Sequence, residues 1–84
     1  MTTDEYKDAL DYMAALRVLY RRGEDVGVKG KPSKIEPLIE YVSWASGISN
    51  IAVLLDLDAR TESIQAENVS SEVLVALVHE PKPS

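Results

Sequence analysis

Hydrophobic and polar positions divide the chain into four apolar-patterned stretches joined by polar or glycine-rich segments. In the first stretch, Tyr6, Ala9, Leu10, Met13, Leu16 and Tyr20 recur at helical spacing and form one stripe. Asp4, Lys7, Asp8, Asp11 and Arg22 fall on the opposite side. Thr2 and Glu5 have capping-box spacing, and Arg17, Arg21 and Arg22 complement the negative end of the helix dipole. Gly23 is a natural residue to follow the helix. The pattern predicts a helix over residues 3–22.

Residues 23–32, "GEDVGVKGKP", hold three glycines and a proline and are expected to be a loop. The second stripe is Ile35, Leu38, Ile39, Val42 and Ala45. Ser33 with Glu36 gives this helix a capping box, or Pro37 itself opens it at the first helical position. Its end is expected near Ser46, before Gly47.

The third stretch supports two readings. Ile51, Val53, Leu55, Leu57 and Ala59 alternate with Asn50, Ala52, Leu54, Asp56 and Asp58, which is strand periodicity. A short helix capped by Ser49 is equally consistent, and the preceding turn chemistry suits a helix pair. Against the helix, Asp56 and Asp58 would stand at its negative end. In either form residues 51–57 are expected mainly as core. Residues 60–69, "RTESIQAENV", are polar and read as a loop or a short helix. The last stretch reads as a helix with a Ser70 cap and a hydrophobic staple between Val69 and Leu74. His79 would face outward near its end, Pro81 would stop it, and residues 81–84 would form a tail. The expected fold is all-α: a compact bundle of about four short helices in one domain over residues 1–80. The alternative is α+β, with residues 51–58 and 72–79 as strands packed on the two N-terminal helices.

Composition narrows the function more than the fold. An 84-residue chain buries a thin core. Without cysteine there is no disulfide, thiolate metal site or cysteine nucleophile. The acidic N-terminus does not resemble a signal peptide. The uninterrupted apolar runs, 51–55 and 73–78, are too short to span a bilayer. A soluble, cytoplasmic protein without membrane contact is expected. The net charge of −5 is uneven: residues 1–16 carry −3, residues 17–34 carry +4 and residues 35–84 carry −6. The basic block of Arg17, Arg21, Arg22, Lys29, Lys31 and Lys34 is a candidate surface for an anion or nucleic acid. In particular, "GVKGKPSK" puts three lysines and two glycines before a helix, as an anion cradle needs. The acidic remainder opposes a strong sequence-independent grip on nucleic acid.

Two short segments resemble known families. Val42, Ser43, Gly47, Ile48, Ser49 and Val53 resemble the helix-turn-helix of LacI-type repressors over about residues 42–57. That resemblance implies a DNA-binding regulator in which residues 49–55 read bases. The implied recognition helix, "NIAVLLDLD", offers one asparagine and no arginine, lysine or glutamine for base edges. "VLLDLDART" resembles the first motif of haloacid-dehalogenase-type phosphatases, which implies a magnesium site at Asp56 and Asp58 on a strand. Arg60 departs from that motif, and the chain is too short for the family's doubly wound domain. No metal site, cofactor or catalytic set is therefore expected, with His79 the only histidine.

Pro37, Tyr41 and Trp44 follow helical spacing along a flank of the second helix, with Trp44 almost opposite the core stripe. Either a later element covers this flank or a partner does. The expected function is a non-catalytic protein-binding module, an adaptor, inhibitor or assembly protein, with another protein or a second copy as partner. The alternatives are a small helix-turn-helix DNA-binding regulator and an acidic decoy of a nucleic-acid-binding protein.

Overall fold

The computed structural model describes residues 1–23 and 35–79, which form four helices. These are α1 (Thr3–Arg21), α2 (Glu36–Ser46), α3 (Asn50–Ala66) and α4 (Ser71–His79). The protein is all-α. Residues 51–58 lie within α3 and residues 72–79 within α4, so the α+β alternative is replaced by helices. The proposed cap Ser33, most of the 23–32 loop and the 81–84 tail lie outside the described residues.

The Thr2–Glu5 capping box closes α1. The Glu5 N–H donates to Thr2 Oγ1 at 3.1 Å, and the Thr2 N–H donates to Glu5 Oε1 at 2.9 Å. Gly23 follows the helix with a left-handed φ of 73°. The second half of α1 carries more than the single predicted stripe. Ala14, Ala15, Val18 and Leu19 are buried along with Leu10, Met13 and Leu16. Successive helical positions point about 100° apart, so these residues cover nearly the whole circumference. A helix apolar all round belongs inside, and α1 is the central element. It packs against each of the other three helices, α2 also packs on α3, and among the described helices α4 packs on α1 alone.

Helix α2 starts with Ile35 as a cap that makes no side-chain hydrogen bond, and Pro37 sits in its first turn, where a missing N–H costs nothing. Its end is closely tied. Gly47 has φ 75°, and its N–H donates to the Ser43 carbonyl at 3.0 Å. Ser43 Oγ donates to the Ile48 carbonyl, and Ser46 Oγ donates to the Val42 carbonyl while accepting the Ile48 N–H. These bonds satisfy the turn, and α3 leaves α2 at a bend of 117°.

The third stretch is helical for identifiable reasons. Ser49 Oγ caps it by accepting the Ala52 N–H at 3.2 Å. Val53, Leu57, Thr61 and Ile64 then form a buried stripe of helical period. The Thr61 hydroxyl, inside that stripe, is satisfied by donating to the Leu57 carbonyl at 2.7 Å. The polar residues 60–66 continue the helix instead of ending it. Asp56 and Asp58 therefore stand in mid-helix, and the dipole objection to a helix does not apply to them. Ser70 caps α4 by accepting the Val73 N–H at 3.3 Å, and Val69 and Leu74 both join the core cluster.

Candidate functional site

The predicted aromatic flank lies on the outside of α2. Helical geometry turns Trp44 about 160° away from Val42, the residue of α2 that is buried. Trp44 is 81% exposed and Tyr41 61% exposed, and Pro37 is exposed beside them. The two rings are neighbours, with centroids 6.3 Å apart and planes tilted by 41°. Among the described residues, no later element covers this flank.

A second apolar feature adjoins it. Between α2 and α3 runs a groove of about 560 Å³. Ile35, Glu36, Ile39 and Glu40 line one side, Asn50, Ile51 and Leu54 the other, with Arg17 of α1 also contributing. Ile51 is 74% exposed and Leu55 64%, although residues 51–57 read as core in the sequence. Only Val53 and Leu57 of that run are buried. Alternation between two apolar faces hid the outer one: in a helix, positions 51 and 55 point away from the stripe at 53 and 57, and position 54 falls at its edge.

The basic block is not one free surface. Arg17 Nη1 donates to Asp58 Oδ1 at 2.5 Å. Arg22 Nη1 donates to Ser71 Oγ at 2.9 Å and its Nη2 to the Val69 carbonyl at 2.8 Å, tying the end of α1 to the start of α4. Arg21 is exposed. Lys29, Lys31 and Lys34, and with them the anion-cradle segment, lie outside the described residues.

The two aspartates of the D-x-D segment serve α1. Tyr6 Oη donates to Asp56 Oδ2 at 2.6 Å, and Asp58 accepts from Arg17. Arg60 Nε donates to Asp11 Oδ1 at 2.5 Å, on the same side of α3 as Asp56. Positions two apart on a helix point about 200° apart, so Asp56 and Asp58 lie on opposite flanks of the buried stripe. They do not converge as a shared cation requires. Among the described residues, no group of three or more histidine, aspartate or glutamate side chains stands close enough to hold a metal. Burial pushes the Tyr6 phenol up to about 12, and the hydrogen bond and negative charge of Asp56 add to the effect.

Within the described residues, no single helix is long and apolar enough to cross a membrane. No protein-family model matches the chain, and no curated protein or solved structure shows significant similarity to it.

Proposed function

We propose that the chain is a non-catalytic protein-binding module whose contact surface includes Pro37, Tyr41 and Trp44. The observation that carries this reading is the 81% exposure of Trp44 on the face of α2 opposite the core. Tryptophan and tyrosine are over-represented among residues that dominate binding energy. A large exposed apolar area on a small domain is a recognised mark of an interaction site. The α2–α3 groove and the outer side chains of Ile51, Leu54 and Leu55 extend the apolar area beyond the two rings. Self-association is one form that such a module takes.

The test is Trp44→Ala, compared with the parent protein in a pull-down from the source cells and in native mass measurement. The expected result is loss of the retained partner, or of the oligomer, with helicity unchanged. Unchanged partners and unchanged mass in a folded variant would assign this surface no role.

A helix-turn-helix DNA-binding regulator is the second reading, favoured by the 117° bend of α3 from α2 through the Gly47 turn. The exposed N-terminal half of α3 offers Asn50 to base edges but otherwise presents Ile51, Leu54 and Leu55. A gel-shift titration from low salt upward distinguishes the two, since a phosphate-binding surface shows its tightest complex at low salt. No shift at low salt would remove the DNA reading.

A further inference from the structure

We propose that the exposed face of α2 and the adjoining α2–α3 groove dock a basic amphipathic helix of another protein, a specification that rests on the protein-binding reading above. Charge complementarity selects this occupant. The acidic side chains that line the groove are Glu36 and Glu40, while Asp56 and Asp58 are engaged by Tyr6 and Arg17 of α1. Arg17, the base that reaches the groove, already donates to Asp58 at 2.5 Å. Around the exposed half of α2, helical geometry orders the side chains as Glu36, Glu40, Trp44, Pro37 and Tyr41. The two carboxylates thus form a ridge with apolar groove on one side and aromatic rings on the other.

Each part of this layout suits a cationic, apolar-faced helix. Leucine-like side chains at successive helical turns fill the groove between Ile39 and Ile51, the usual helix-in-groove mode. Lysine or arginine on the flanks meets Glu36 and Glu40. The exposed faces of Trp44 and Tyr41 attract the same cations through their ring quadrupoles. The same carboxylates act against the other occupants. A two-fold contact between copies sets a patch against itself and brings like charges together. Nucleic acid and anionic lipid both present negative charge to an acidic ridge.

The test uses the full chain and two synthetic amphipathic helices of about 18 residues, roughly five turns. One is built from leucine and lysine, the other from leucine and glutamate with the same apolar face. Calorimetric titration is expected to show a single-site complex with the lysine peptide and none with the glutamate peptide. Ile51→Ser, at an exposed position that leaves the core intact, is expected to weaken binding by about tenfold. The pair Glu36→Gln and Glu40→Gln is expected to weaken it about threefold or more and to flatten its salt dependence. Val73→Ser, on α4, which among the described helices packs on α1 alone, is expected to leave it unchanged.

Equal affinity for the two peptides, no lysine-peptide complex, or an equal loss from Val73→Ser overturns the proposal. So does stronger binding to phosphatidylglycerol vesicles than to the lysine peptide, or a dimer that Ile51→Ser dissolves. The dimer outcome, or a pull-down partner lost in Trp44→Ala without any lysine-peptide binding, rejects the basic-helix occupant while keeping the protein-binding reading. A Trp44→Ala protein with unchanged partners and mass rejects that reading itself.

Discussion

Leu16 and Trp44 both sit on helices with apolar residues at regular spacing, yet Leu16 is fully buried and Trp44 is 81% exposed. The difference lies in the neighbours of each helix. α1 has three helices around it, so its second half is buried on nearly every side. α2 meets α1 and α3 with one face, and Val42 is its buried residue. Hydrophobicity alone therefore does not separate core from exposed surface in this chain. The number of elements packed on a helix does.

Truncating both residues separates a buried role from an exposed one. Leu16→Ala is expected to cost about 2–5 kcal/mol in urea denaturation, because it removes buried contacts and leaves a cavity. Trp44→Ala is expected to stay within about 0.5 kcal/mol of the parent, as exposed substitutions do. Similar losses at the two sites would mean that Trp44 is part of the core.

The turn that aims α3 away from α2 comes next in size. Gly47 has φ 75°, and a Cβ added there meets nothing within 4 Å, so only backbone strain opposes a side chain. Gly47→Ala is expected to lower stability by about 1–2 kcal/mol in the same assay. Ser49→Ala, which removes the α3 cap, is expected to cost about 1 kcal/mol. A neutral Gly47→Ala would show that the turn relaxes to another geometry.

The polar contacts beside the core should matter least. A double-mutant cycle on Arg17 and Asp58 is expected to give a coupling of about 0.5 kcal/mol, since the aspartate is half exposed, and to fade with salt. The Tyr6 phenol, raised from the usual 10.0 to about 12, should ionise late in an ultraviolet pH titration. Its folded value is the higher one, so its contribution is complete below about pH 10 and is lost as pH rises through about 12. Tyr6→Phe should remove the late step. A tyrosine titration left unchanged at high pH by Tyr6→Phe, apart from the loss of one phenol at about pH 10, would dissolve the Tyr6–Asp56 contact.

Much of the fold was legible because its signals are local. Thr2 and Glu5, Gly23, Gly47, Ser49 and Ser70 mark helix ends through their own hydrogen bonds or φ angles, within a few residues of the pattern they punctuate. The alternation at 50–59 was ambiguous because α3 is apolar on both its inner and outer sides. The roles of Asp56 and Asp58 were hidden because their partners, Tyr6 and Arg17, lie 50 and 41 positions away in sequence. Trp44 could be placed opposite the core from spacing alone. The exposure of Ile51 and Leu55 could not, since it depends on which side of α3 meets α1.

Trp44 is uncovered in the protein by itself, and the proposed binding role requires a partner to cover it. Trp44 is the chain's single tryptophan, so its fluorescence reports on that one site. The direct measurement is its emission and acrylamide quenching in dilute protein shown to be monomeric by native mass. The expected result is the red-shifted emission of a hydrated indole that acrylamide quenches freely, moving to the blue and becoming protected when a partner is added. A blue-shifted, protected emission in the monomer would show that the chain covers Trp44 itself and leaves no exposed ring for a partner.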